Sequence, residues 1–362
     1  MFIYIFLPIL LLFLLTIRGK GKVVFALLLL FLINVCRDYS VGYDYGHNYK
    51  RTYDNEILTN QSVNTYNEGD SFNLLEAERE TVEIGWTMLE AFGKANNLPF
   101  SVVNFIAAII IFIALAYSLK QSPWPILSIL LYVLLFRYYA TFNTIRQSIS
   151  AIIFVASIPY IEKRQFIKYL LCCLSAAAFH LSALLMVFIY FLPKIKISFK
   201  ISLVLIVGAF VMSALNIDMI LFSWIYDSGY MFDAYAKYLA IENEYNYPII
   251  YLYVPCVLLL IPYILLSYKL KDKYIDIYQL LFVISIIISV LSIHHEVLFR
   301  INEYFRTALI IAIPVLLLRN KPKSVLTFEN LVILGCCTVY YSIYLFLNAN
   351  AIRPYALIFF EN

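Results

Sequence analysis

An all-α bundle embedded in a bilayer is the fold class this 362-residue chain predicts, and three observations predict it. Hydrophobic residues make up 63% of the sequence and charged residues 14%, with a mean hydropathy of +0.81, far outside the soluble range. Apolar runs repeatedly reach the length needed to cross a membrane. No Pro- or Gly-rich linker and no internal repeat divides the chain, so residues 1–362 read as a single integral membrane domain.

The elements follow in order. Phe2 to Ile17 has neither a basic n-region nor a small-residue cleavage site before Arg18-Gly19-Lys20-Gly21-Lys22, and reads as a retained first helix. Further spans are predicted at about 23–36, 100–118, 124–140, 145–160, 169–192, 200–215, 247–268, 275–293, 299–318 and 326–347, about eleven in all. Orientation comes from the connections. Arg18-Lys20-Lys22, Lys120, Lys163-Arg164-Lys168, Lys194-Lys196-Lys200, Lys269-Lys271-Lys273 and Arg319-Lys321-Lys323 are short and basic, which assigns them to the cytoplasm. Segment 37–99 has five basic against eleven acidic residues and segment 216–246 one against five, so both are placed outside.

This assignment creates a parity problem. The connections at 162–168 and 194–200 both read as cytoplasmic, yet only one apolar stretch lies between them. A single crossing cannot begin and end on the same side. One solution is a re-entrant hairpin at 169–192 bending near Ala178-Phe179-His180, which places His180 in a protein-lined cavity. The other is one ordinary 24-residue helix followed by basic residues on the wrong side. Within the external segment, Phe72, Leu75, Val82, Trp86, Leu89 and Phe92 recur at helical spacing among Glu76, Glu78, Glu80 and Glu83, which predicts an amphipathic helix over about 71–97.

Charge and cysteine content exclude several classes. A formal charge of +4 makes no case for nucleic acid as a partner. The six cysteines show neither CxxC nor Cys/His ligand spacing, so they read as small buried hydrophobes and not as disulfides or a zinc site. No Asp-x-Asp pair marks a metal site, and no cofactor is expected.

Ionisable residues gather instead at the external ends of the spans. Arg37, Asp38 and Asp44 follow the second; Arg137, Arg146 and Gln147 flank the turn after the fourth; His294, His295, Glu296, Arg300, Glu303 and Arg306 surround the start of the tenth; Arg353 follows the last. Such a gathering suits an anionic lipid-linked substrate, since the planar fork of arginine matches diphosphate oxygens. Each residue also has a structural explanation. Glu296, Arg300 and Glu303 are spaced as local helical ion pairs, Arg137 can snorkel to headgroups, and His180 can be a hydrogen-bonded interior imidazole.

Four segments carry a family resemblance: Arg37-x4-Gly42-x-Asp44, Phe142-Asn143-Thr144-Ile145-Arg146-Gln147-Ser148-Ile149, Lys163-Arg164-Gln165-Phe166 with Ala178-Phe179-His180-Leu181-Ser182-Ala183-Leu184, and Phe299-Arg300-Ile301-Asn302-Glu303-Tyr304-Phe305. In this order they resemble the EpsG family of bacterial exopolysaccharide proteins, which are Wzy-like O-antigen and capsule polymerases. The resemblance implies a multi-pass glycosyltransferase of the bacterial inner membrane with a C-type membrane architecture. It would act at the outer face, without metal, on undecaprenyl-diphosphate-linked oligosaccharide repeat units. Membrane lipid, chain-length regulator and flippase proteins are the partners it implies.

Transfer from a diphosphate needs cations for the departing anion and a base near the acceptor hydroxyl. Arg146 and Arg300 are the expected diphosphate ligands, with Arg37 and Arg137 in support. Asp44 is the expected acceptor-positioning group or base, followed by His180 and Glu296. Two other readings stand beside this one. A polysaccharide flippase or transporter would show repeated, broken halves, and a membrane acyltransferase decorating surface glycans would carry its histidines near the cytoplasmic face.

Overall fold

The computed structural model describes residues 2–19, 21–55, 83–227, 249–268, 270, 274–320 and 327–357, and among them the architecture is all-helical with no strand. The helices are α1 (Phe2–Thr16), α2 (Gly21–Val35), α3 (Ile84–Ala95), α4 (Phe100–Ser118), α5 (Pro125–Leu134), α6 (Arg137–Ala140), α7 (Ile145–Glu162), α8 (Phe166–Ala177), α9 (Phe199–Ala214), α10 (Ile217–Asp227), α11 (Ile249–Tyr268), α12 (Ile277–Leu291), α13 (Glu296–Arg319) and α14 (Phe328–Phe346). Phe100–Gln121, Val297–Arg319 and Phe328–Phe346 are long and apolar enough to cross a bilayer unaided, and the other apolar helices are shorter.

Burial sorts the helices into layers. The apolar window of α13 is 83% buried against 50% for α4 and 33% for α14, so α13 is the axis of the bundle. Around it pack α12, α7 and α5; α1 and α2 lie against α5, α4 bridges α2 and α7, and α9 lies on α12. Helix α1 shows why: Tyr4, Leu7, Leu11 and Leu14 form a buried stripe, while Phe2, Ile5, Phe6, Ile9, Leu12 and Phe13 are exposed on the opposite face. An apolar face turned outward at helical spacing is what a lipid-facing helix presents. All six cysteines are unbridged and buried or half-buried.

Two expected spans are broken. The run 124–140 is not one helix: α5 ends at Leu134, Phe136 adopts a left-handed backbone (φ 64°), and α6 restarts at Arg137. The break turns the Leu135 carbonyl toward Arg137 Nε, which donates to it at 2.9 Å. The second break is the bend expected at 178–180. Helix α8 stops at Ala177, and Leu181–Tyr190 returns beside it as a 3₁₀ arm. Tyr169 donates its hydroxyl to the Met186 carbonyl at 2.5 Å, and the Phe166 and Tyr190 rings are 5.0 Å apart. Twelve α residues rise about 18 Å and ten 3₁₀ residues about 20 Å. The tighter winding lets unequal arms match in length.

With the hairpin in place, the chain ends sort as the parity argument requires. At one end Tyr278 donates to Glu162 (3.0 Å), Ile275 N–H to the Ile197 carbonyl (2.8 Å) and Asn320 to the Leu266 carbonyl (3.0 Å), and Arg319 pairs with Asp276. At the other, Asp44 meets Asn143, Glu83 meets Arg146 and His180, and Asp218 meets His294 and His295. The described residues at the first end lie at or beside connections read as cytoplasmic, and those at the second at or beside segments read as external. Of the amphipathic helix expected over 71–97, the part over Ile84–Ala95 is present, and 71–82 lies outside the described residues.

Candidate functional site

The site forms where the external segment comes down on the tip of the hairpin. Glu83 has the extended backbone of an N-cap ahead of α3 (φ −61°, ψ 139°), yet its carboxylate caps nothing in that helix. It reaches across instead. Its Oε1 accepts from the Leu181 N–H, the first amide of the 3₁₀ arm, at 3.2 Å and lies 2.9 Å from His180 Nδ1. Its Oε2 accepts from Arg146 Nη1 at 2.7 Å. One carboxylate thus joins α3, α7 and the hairpin tip.

The backbone seats the same contact. Gly85 N–H donates to the Ala178 carbonyl at 2.7 Å, and a Cβ on residue 85 would lie 2.7 Å from that oxygen. Gly85→Ala therefore lifts α3 off the tip and costs about 1–3 kcal/mol, the usual price of an overpacked contact. Gly208, with nothing within 4 Å of an added Cβ, is the control. Thermal unfolding in detergent should show a lowered midpoint for Gly85→Ala and an unchanged or raised one for Gly208→Ala, which sits inside a helix.

Hydroxyls lock the tip to the central helix. Ser150 on α7 donates to the Ala176 carbonyl at 3.0 Å, so its oxygen accepts from Tyr304 at 3.1 Å, and Tyr304 in turn accepts from Ser182 at 2.9 Å. Gln147, beside Arg146, donates its Nε2 to the Arg300 carbonyl. The tip, the start of α7 and the outer turns of α13 are therefore one rigid unit.

Electrostatics follow from the donors. Burial pushes the Glu83 carboxyl up, but the His180 hydrogen bond and the Arg146 charge outweigh it and hold the carboxyl at about 2. A depressed carboxyl stabilises the fold above its ordinary value of 4.5, and this contribution disappears as pH falls from there toward 2. Glu83 is ionised throughout the neutral range, and an ionised carboxylate only accepts.

The structure brings together some of the residues expected from the sequence and separates others. Arg146 and His180 meet through Glu83, and Arg300, half-buried, stands alongside through its carbonyl. Asp44 donates its backbone N–H to Asn143 at 2.7 Å and accepts from Asn48, which ties it to the turn just before Arg146. Glu296 opens α13, and its side chain lies outside the described residues.

Arg37 and Arg137 are placed elsewhere. Arg37 is fully enclosed, donating to the Asn34 and Asn104 side chains with its guanidinium 3.9 Å from the Tyr45 ring centre and 4.8 Å from that of Phe142. Arg137 is buried against Glu303, so it does not snorkel, and Glu303 pairs across the bundle with Arg137. Glu83, Tyr304 and Ser182 are the site residues that sequence reasoning passed over. Glu83 stood among the glutamates of the expected amphipathic helix, and only its position directly before an apolar helix start could have singled it out.

The sequence pattern that defines the EpsG family, a family of Wzy-like polymerases, matches residues 22–357 of this chain. No curated protein and no solved structure matches it. Together with the apolar helices, the match makes this a multi-pass membrane protein.

Proposed function

The chain belongs to the EpsG family, and we propose that it joins oligosaccharide repeat units carried on undecaprenyl diphosphate into a surface polysaccharide. The reaction takes place at the outer face of the bacterial inner membrane. The observation that carries this reading is the meeting of Arg146 and His180 on one carboxylate at the end of the bundle where the acidic segments lie. A guanidinium fork and an imidazole held on one carboxylate supply the cation and the base that transfer from a diphosphate requires.

In the proposed step, His180 takes the proton of the acceptor hydroxyl as its oxygen forms a bond to the anomeric carbon of the growing chain. The bond from that carbon to the diphosphate breaks, and the electron pair leaves on the diphosphate, which Arg146 and Arg300 hold. Asp44, tied to the turn just before Arg146, positions the acceptor sugar. Arg37 and Arg137, enclosed within the bundle, support the site from behind and do not touch the substrate. A flippase reading is disfavoured because the hairpin bend at 178–180 has no counterpart among the described residues of the second half.

Deletion of the gene in its native host, followed by electrophoresis of lipid-linked glycans, tests the reading. The expected result is accumulation of single repeat units exposed at the outer leaflet and restoration of the ladder by the intact chain. Units trapped on the inner leaflet, or full-length polymer lacking a substituent, would overturn it in favour of a flippase or an acyltransferase.

A further inference from the structure

Three donors converge on Glu83: a guanidinium N–H from Arg146, the backbone N–H of Leu181 and the imidazole of His180. Two of them are fixed as donors by their chemistry. The third depends on which ring nitrogen carries hydrogen, and the geometry decides it. The Glu83 oxygen 2.9 Å from His180 Nδ1 already accepts from Leu181 and belongs to an ionised group that has no hydrogen to give. Nδ1 must therefore be the protonated nitrogen. The lone pair of the neutral ring is then confined to Nε2, on the side of the ring away from Glu83.

We propose that Glu83 is a positioning residue for glycosyl transfer: it holds His180 in the tautomer whose Nε2 accepts the acceptor proton, and fixes Arg146 beside it. This rests on the polymerase reading above and adds to it a residue supplied by the external segment. It also assigns a purpose to the seating of α3 on the hairpin tip. The Gly85 to Ala178 hydrogen bond and the close approach at Gly85 bring Glu83 to one place, so the catalytic pair is complete only when the external segment is docked.

The chemistry has a clear cost if the carboxylate is lost. After proton uptake the ring is an imidazolium, and Glu83 lies against it as a counter-charge. Glutamine retains the size and one acceptor, but its amide nitrogen must face either Arg146 or His180. In the first case a donor meets a donor, and in the second the ring is forced into the tautomer that places hydrogen on Nε2. Either way the arrangement is lost: Arg146 is released, or His180 presents a hydrogen where the acceptor proton should go.

The test uses membranes of the native host carrying the full chain and the host's own lipid-linked repeat units, with polymer formation followed against the concentration of the lipid-linked unit. Glu83→Gln should reduce kcat on the order of a hundredfold while KM for the lipid-linked unit changes less than about threefold. Glu83→Asp, which keeps the charge on a shorter stem, should recover part of the lost kcat.

A purely structural role would lower the amount of folded protein in step with activity, so activities are referred to the quantity of chain in the membrane and to its thermal midpoint. A loss of rate in Glu83→Gln that disappears on this normalisation, or a rise in KM as large as the fall in kcat, overturns the proposal. So does a faster enzyme with a lower KM, which would identify Glu83 as a plug occupying the substrate's anion site. If the parent chain makes no polymer from these units, it is the polymerase reading that fails.

Discussion

Arg146→Lys is expected to reduce polymer formation on the order of a hundredfold while leaving the abundance of the chain unchanged. On the polymerase reading, arginine at this position has two tasks: Nη1 is committed to Glu83 Oε2 at 2.7 Å, Nε is enclosed with the guanidinium 5.7 Å from the Tyr49 ring centre, and the exposed part of the fork would take the diphosphate. The side chain is 27% exposed, enough to meet a substrate while staying oriented by its partner. Lysine preserves the charge but concentrates it on one nitrogen, which can follow Glu83 or the diphosphate and cannot span both in a plane. Removing a single oriented donor from a charge-stabilising site costs about 10²–10³ in rate. Arg146→Ala should be worse and also destabilising, because Glu83 loses its guanidinium partner and keeps only the Leu181 and His180 donors. The readout is the ladder of lipid-linked glycans normalised to chain in the membrane. A lysine variant within twofold of the parent would show that charge alone suffices and that the fork has no role.

How much of this was legible in the sequence differs between fold and site, for a physical reason. Helices declare themselves through local runs of apolar residues, so nine of the eleven apolar stretches reappear as single helices with ends shifted by a few residues, and the two at 124–140 and 169–192 reappear broken. The bend at 178–180 was also legible, because basic residues on both flanks of one apolar stretch cannot satisfy a single crossing. The break at 135–136 was not. Leu134, Leu135 and Phe136 continue an apolar run with neither Gly nor Pro to punctuate it, and the left-handed Phe136 is imposed by its packing. Partnerships were hidden for the same reason. Spacing suggested that Glu303 pairs with Arg300, three residues away, whereas its partner Arg137 lies 166 positions distant and becomes a neighbour only through the packing of α13 on α6 and α5. Arg37 likewise looked like an external cation. Asn34, one turn earlier on an apolar helix, was the sign that its guanidinium is hydrogen-bonded inside the bundle.

Glu303→Gln should be the most destructive single change outside the site, and more so than Arg137→Met. Glu303 is the acidic member of a buried cluster that also contains Arg137 and, one turn further along α13, Arg306; all three are at least nine-tenths buried. Arg306 reaches Ser289 at 3.3 Å and lies 5.0 Å from the Phe299 ring centre, contacts that orient it without neutralising it. Removing the carboxylate leaves two enclosed cations facing each other. Removing Arg137 leaves Glu303 and Arg306 to balance. Breaking a buried pair costs roughly 3–5 kcal/mol, mostly through the charge left behind, whereas replacing both partners by apolar groups of similar size is often close to neutral. The order of membrane abundance and of thermal midpoints should therefore be parent, then Arg137→Met, then Glu303→Gln. Adding Arg137→Met to Glu303→Gln should recover much of the loss, because one of the two orphaned cations is gone. If Glu303→Gln is as stable as the parent, the cluster is not a structural ion network. Its carboxylate would then belong with the ionisable residues that serve the reaction.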